Sequence, residues 1–381
     1  DIKMVAEAGL NAYRFSIEWA RIEPKQGVYD ENEIEHYRKV LTCCRENGVE
    51  PIVTMMHFTS PKWLIENGGW ENEATVEAFK NYCQYVTEQL GDLMHYVCTI
   101  NEANMGIQVA AISARYRAQM MAKMQRMQQG GAEEKKDLEG TAQVGMNFND
   151  MMANMQKQKE ENVEIFGTDT LQTFVSARTP EGDMLVIRAH QAARAAMKAV
   201  KPELQIGLTL SLHDIQAQEG GEETAAKEWV DEFTHYVPYI KEDDFFGLQN
   251  YSRSLIGPNG ILPVPEGAEI TQMDYEYYPE GLEHVIRRVY EEMPMPIMVT
   301  ENGIATADDT RRVAYIQTAM KGVENCIQDG IPVKGYMYWS MMDNFEWQKG
   351  FGMTFGLISV DRTTQTRTAK PSLTVLGNYT K

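Results

Sequence analysis

Tyr96-Val97-Cys98-Thr99-Ile100-Asn101-Glu102 is a short apolar, β-branched run that ends on an amide and an acid. The pattern returns two hundred residues later as Ile297-Met298-Val299-Thr300-Glu301-Asn302-Gly303. Runs of this length and composition read as strands buried on both faces of a parallel sheet, which deliver the residue just past the strand to the sheet's carboxyl edge. The chain carries 55 acidic residues, so two glutamates mean little by number. Their settings matter, because a carboxylate at the end of a buried strand is costly and most glutamates lie on solvated helix faces.

Strand-like runs recur at Ala12–Ile17, Pro51–Met56, Tyr96–Ile100, Gln205–Leu212, Phe245–Gln249, Ile297–Thr300 and Val333–Trp339. Helix-period stretches lie between them at Glu31–Asn47, Glu71–Gly91, Asp183–Val200, Glu222–Val237, Pro279–Met293 and Asp308–Asp329. Repeated β/α alternation implies a parallel sheet wrapped by helices, and its extent predicts a (β/α)8 TIM barrel, an α/β fold. Length alone, 381 residues, would also allow two ordinary domains. Only seven strands are found. The chain opens in a predicted helix, Asp1–Ala8, so the first barrel strand is expected to be absent, which would leave two unpaired sheet edges.

Residues 1–381 are therefore read as one catalytic barrel domain with an insertion at 113–179. That stretch is rich in Met, Gln and Lys, with Met120, Met121, Met124 and Met127 near helical spacing and Gly130-Gly131 as a break. It reads as one or two amphipathic helices, more readily a Met-lined lid on the barrel rim than a dedicated partner surface.

A net charge of -19 leaves no surplus of Lys or Arg for a phosphate backbone, so no nucleic acid partner is expected. No run reaches the roughly 20 apolar residues needed to cross a bilayer, and the amino end has no signal-peptide pattern, so no membrane partner is expected. Cys43, Cys44, Cys83, Cys98 and Cys326 lack metal-ligand spacing; reduced thiols in a cytoplasmic protein are the simplest reading. Phosphate-loop, dinucleotide-loop, His-Glu-x-x-His and Cys-x-x-Cys patterns are missing, so no metal and no cofactor is expected. Nothing in the sequence excludes a homo-oligomer.

The chemistry-bearing candidates gather at strand ends. Glu102 and Glu301 could supply the proton donor and the nucleophile that cleavage of a glycosidic bond needs. Arg14, inside a strand, requires a carboxylate partner, either Glu301 or a structural acid such as Glu18. His57 sets a hydrogen-bonding ring beside Phe58 and Trp63, a combination that suits a sugar, although a lone histidine is more often a satisfied core residue. Trp339, Glu346 and Trp347 mix indoles with a carboxylate, offering stacking surface and hydroxyl acceptors together. The Tyr251 hydroxyl could reach the nucleophile.

These residues lie in segments that resemble glycoside hydrolase family 1, retaining β-glucosidases and β-galactosidases built on a (β/α)8 barrel. The matching segments are Arg14–Pro24, Thr99–Glu102, Val299–Gly303, Trp339–Trp347, Phe355–Asp361 and Arg367–Ser372. The resemblance implies Glu102 as acid/base, Glu301 as nucleophile and Asn101 on the sugar 2-hydroxyl. It further implies His57, Trp339, Glu346 and Trp347 around the glycone, with Arg14 and Tyr251 tuning Glu301. A glutamate like Glu346 goes with unphosphorylated sugars, so the expected partner is a small β-glucoside or β-galactoside cleaved by double displacement. Three departures stand out: Ala103 replaces a proline, Gln249 replaces an asparagine, and the glutamine of the first strand is absent. They motivate a rival expectation, a catalytically impaired sugar-binding or regulatory protein on the same fold.

Overall fold

The computed structural model of the chain describes residues 1–128, 148–167, 169 and 171–380. The predicted Gly130-Gly131 break lies outside these residues, as do the side chains of Met120, Met124 and Met127. The fold is an α/β barrel of parallel strands. Ala12–Ser16, Glu50–Met56, Tyr96–Ile100 and Gln205–Gly207 form one ladder. Thr209–Ser211, Phe246–Gln249, Ile297–Asn302 and Val333–Tyr338 form the next.

The predicted strand Gln205–Leu212 is thus divided at Leu208, where the chain passes from one ladder to the other. The Leu208 N–H turns to Asp243 Oδ2 at 3.1 Å while its carbonyl accepts from Gly247. A Cβ on Gly207 would lie 2.2 Å from the Phe245 carbonyl oxygen, so only glycine lets the chains approach this closely.

Helices fill the crossovers and bury their apolar stripes against the barrel. Glu31–Glu46 buries Ile34, Tyr37, Leu41 and Cys44, at i, i+3, i+7 and i+10, and starts at Asp30, whose carboxylate accepts the Asn32 N–H at 2.9 Å. Pro180–Val200 starts at Thr179, whose hydroxyl accepts from Gly182, with proline at the first helical position.

The predicted helix Glu222–Val237 is not continuous. It ends as an α-helix at Trp229, widens into a π-turn over Val230–Thr234 and resumes over Val237–Ile240. The widened turn aims the Glu232 carbonyl at Asn104 Nδ2, 3.0 Å away, and its carboxylate at the His213 N–H and Nδ1, at 3.0 and 2.8 Å.

Helix Met105–Gln128 runs without a break through Ser113, so the stretch read as an insertion from 113 starts inside a helix that begins directly behind the Glu102 turn. A second helix covers Phe148–Phe166.

The strands Ala12–Ser16 and Val333–Tyr338 each pair with a strand on one side. Between their free edges lies a groove of about 400 Å³, lined among others by Arg14, Ser16, Tyr336, Tyr338 and Trp339. All five cysteines carry free thiols. No helix among the described residues is long and apolar enough to cross a membrane.

Candidate active site

The tight turn Asn101–Asn104 converts the strand Tyr96–Ile100 into the helix Met105–Gln128. Within it Glu102 takes φ +44°, a left-handed conformation that costs a non-glycine residue about 1–3 kcal/mol. Neighbouring strands hold it there. Asn101 N–H donates to the Met56 carbonyl at 2.8 Å, Glu102 N–H to Thr209 Oγ1 at 2.9 Å, and Ala103 N–H to the Thr209 carbonyl at 2.9 Å. The result is a buried Glu102 that lines a cavity just past the end of its strand.

Glu301 ends the strand Ile297–Asn302 on the opposite wall. Arg14 Nη1 donates to its Oε1 at 2.7 Å, and the Tyr251 hydroxyl donates to its Oε2 at 2.6 Å. A guanidinium on one oxygen and a phenol on the other is the partner set of an anionic acceptor. Burial works against the Arg14 charge, yet the charge and hydrogen bond of Glu301, together with Cys98, offset it and the Arg14 pKa rises. Glu18, the other candidate partner for Arg14, instead caps a short helix through Ala20 N–H and accepts from Thr59.

Arg14 also orders Asn101. The Asn101 Oδ1 accepts from Arg14 Nη2 at 2.5 Å and from Gln249 Nε2 at 2.8 Å. With its oxygen occupied by two donors, the amide turns its NH₂ toward His57 Nε2, 3.3 Å away. Burial first, and the Arg14 charge second, push the His57 pKa down to about 3, so the imidazole is neutral and can accept. Its ring lies nearly parallel to the indoles of Trp339 and Trp347, with centroids 5.6 and 6.3 Å away.

Of the residues expected from the sequence, His57, Asn101, Glu102, Tyr251, Glu301, Trp339, Glu346 and Trp347 line one cavity, and Arg14 lies against Glu301 and Asn101 beside it. The free space among them is about 20 Å³, roughly one water. It adjoins the larger groove, with which it shares His57, Trp339 and Trp347.

Electrostatics separate the carboxyls. Burial, then the charge of Glu301, hold the Glu102 pKa well above the usual carboxylate range, with Glu346 adding to the rise, while Ser211 and Arg14 pull the other way. Burial and then Glu301 also push Glu346 up to about 8. A cavity that keeps one carboxyl protonated beside a carboxylate fixed by a cation can offer a proton and a nucleophile at once.

The supports of this arrangement lie outside the residues expected from the sequence. Thr209 and Ser211 belong to the strand-like run Gln205–Leu212, in which Leu208-Thr209-Leu210-Ser211-Leu212 alternates and so marks one polar face. Gln249, a departure from the family pattern, anchors Asn101. Phe355, which opens one of the segments resembling the family, and Met273, which carries no local signal, complete the cavity wall.

A family model described as "Glycosyl hydrolase family 1" matches residues 1–130 and 242–379. Among curated proteins the chain is 28% identical to beta-glucosidase A of Acetivibrio thermocellus, over 98% of this chain and 83% of that protein. It is 27% identical to the cytosolic beta-glucosidase of Homo sapiens, over 95% of this chain and 81% of that one. Among solved structures, beta-glycosidase BGL167 aligns with a TM-score of 0.83 at 41% identity, covering 100% of this chain and 84% of that one. Beta-glucosidase 1317 aligns with a TM-score of 0.84 at 36% identity, covering 100% and 86%.

Proposed function

Because this chain belongs to glycosyl hydrolase family 1 and is thereby a glycoside hydrolase, we propose that it cleaves unphosphorylated β-glucosides or β-galactosides with retention, by double displacement. Residues 1–381 act as one catalytic barrel carrying a helical insertion. Glu301 attacks the anomeric carbon as Glu102 gives its proton to the departing glycosidic oxygen, leaving a glycosyl ester on Glu301. Glu102, now a carboxylate, takes a proton from water; that water displaces Glu301, and both carboxyls return to their starting forms. The Asn101 NH₂, freed to face the cavity by the two donors on Oδ1, holds the sugar 2-hydroxyl. His57, Trp339, Glu346 and Trp347 bind the rest of the ring.

The observation that carries this reading is the unlike surroundings of two carboxyls in one cavity: Glu301 is held by Arg14 and Tyr251, while Glu102 is buried and its pKa raised, first by that burial and then by Glu301. The names of the relatives supply the substrate class. Retention requires the carboxyls to stand about 5–5.5 Å apart; about 6.5–9.5 Å belongs to inversion.

The test is proton NMR of an aryl β-glucoside during hydrolysis, together with peptide mass after trapping by an activated 2-deoxy-2-fluoro glucoside. The β-anomer appearing first and a label on Glu301 support the reading. First release of the α-anomer, or a label elsewhere, refutes it. Sugar binding without turnover would favour a binding protein on the same fold.

A further inference from the structure

Ser211 is a buried residue that the mechanism above leaves unused, yet three observations direct it to Glu102. Ser211 pairs in register with Gln249, and Gln249 with Glu301, so the three side chains form one row across the carboxyl end of the sheet. Its backbone is clamped from the turn that carries Glu102: Ser211 N–H donates to Asn104 Oδ1 at 3.0 Å, and its carbonyl accepts from Asn104 Nδ2 and Gln108 Nε2, both at 2.8 Å. Thr209, two residues earlier and on the same face, accepts the Glu102 N–H. The Ser211 hydroxyl therefore stands one step closer to the cavity than the hydroxyl that fixes the Glu102 backbone.

Neither Ser211 Oγ nor Glu102 Oε2 closes a hydrogen bond in the resting arrangement, although both atoms are fully shielded from solvent. Orphaned polar atoms are costly, and a buried donor next to a buried acceptor is the arrangement that a change in protonation would complete. We propose that Ser211 is a positioning residue for the Glu102 proton: when Glu102 has delivered its proton, the Ser211 hydroxyl turns its hydrogen onto Oε2 and stabilises the carboxylate that must next act as base.

The other groups whose charge Glu102 feels are Glu301 and Glu346, which oppose its ionisation, and Arg14, which favours it; Glu102 in turn acts on the hydroxyls of Tyr251 and Tyr275. Arg14 is committed to Glu301 and Asn101, and the Tyr251 hydroxyl to Glu301. Ser211 supplies a neutral donor that closes no hydrogen bond among the described residues; Gln249 Oε1 is the other orphaned acceptor in its row, and the Ser211 hydroxyl lowers the Glu102 pKa.

The inference rests on Glu102 being the acid/base, and the experiment keeps the two apart. The pH dependence of kcat/KM and of kcat is measured with an aryl β-glucoside whose good leaving group makes the second step limiting, for wild type and for Ser211→Ala, Ser211→Thr and Ser211→Cys. In Ser211→Ala the alkaline limb of kcat/KM and the acidic limb of kcat both move up by about half to one pH unit, because the carboxylate has lost its donor. Ser211→Thr retains the wild-type limbs. Ser211→Cys, a weak donor, shifts in the direction of alanine and carries the test should the alanine variant not fold. A loss of rate with unmoved limbs, or a threonine variant shifted as far as alanine, overturns the proposal. Glu102→Ala is run in parallel with azide as an external nucleophile. If azide does not restore turnover, the acid/base reading fails and Ser211 with it; if azide does and the limbs stay fixed, only the role of Ser211 falls.

Discussion

Neutralising Glu301 should lower the pKa of a residue two hundred positions away. The Glu102 carboxyl is raised by burial first and by the charge of Glu301 second. For two carboxyls about 5–5.5 Å apart at an effective dielectric of about 20, the repulsion is about 3 kcal/mol, or roughly two pKa units. Glu301→Gln keeps the volume and one acceptor for Arg14 or Tyr251 while deleting that charge. Glu102 should then titrate up to about two units lower, yet remain above an ordinary glutamate because the burial persists. Glu346, pushed up to about 8 by burial and then by Glu301, should move in the same direction. Arg14→Met should move Glu102 the opposite way, since Arg14 favours its ionised form. The assay is a ¹³C NMR titration of protein labelled at the glutamate δ-carbon, with Glu102 and Glu346 assigned from the spectra of Glu102→Gln and Glu346→Gln. A Glu102 signal that titrates unchanged, or higher, in Glu301→Gln would refute the reasoning, because the two carboxyls would not share a cavity.

Glu346 also makes a statement about stability. Its folded pKa of about 8 lies above the usual 4.5, so between these values the unfolded chain gives up a proton that the folded chain keeps, and stability falls with pH across that window and levels off above it. The Tm of Glu346→Gln relative to wild type should therefore climb from pH 4.5 to about 8 and then flatten; a constant difference in calorimetry would sink the claim. Tyr251→Phe removes the 2.6 Å bond to Glu301 Oε2, worth about 1.5–3 kcal/mol for a charged acceptor; because a buried acceptor is stranded, denaturant unfolding should show a loss of that order, and kcat/KM on an aryl β-glucoside should fall about 10- to 150-fold. Thr209→Val preserves shape but withdraws the acceptor for Glu102 N–H in a left-handed turn; denaturant unfolding should show a loss of about 1–3 kcal/mol, and an unchanged midpoint would mean the turn is held otherwise.

The strands were legible because their composition is local information: a run such as Val97–Ile100 has the same apolar, β-branched character before and after folding. The helix starts at Glu31 and near Asp308 were signalled by the same kind of nearby chemistry, a capping aspartate, whereas the helix expected from Asp183 begins earlier, at Pro180 behind Thr179. The breaks were not. The π-turn at Val230–Thr234 exists because Glu232 is drawn to His213 and Asn104, and the interruption at Leu208 because Gly207 passes against Phe245 and Asp243 takes the Leu208 N–H. Those partners lie nowhere near in the chain, so no window of sequence contains them.

The site divides in the same way. Sequence alone determined which residue types end the strands, and hence that Glu102, Glu301, Arg14, His57 and the Trp339–Trp347 aromatics were candidates. Tertiary structure alone decided that Arg14 pairs with Glu301 rather than Glu18, that Gln249 and Arg14 fix the Asn101 amide, and that Glu102 is buried beside another carboxyl. The physical reason is that residue identity sets what a group can donate, accept or ionise, whereas its protonation depends on desolvation and on charges a few ångströms away, and both exist only once distant strands have closed around it.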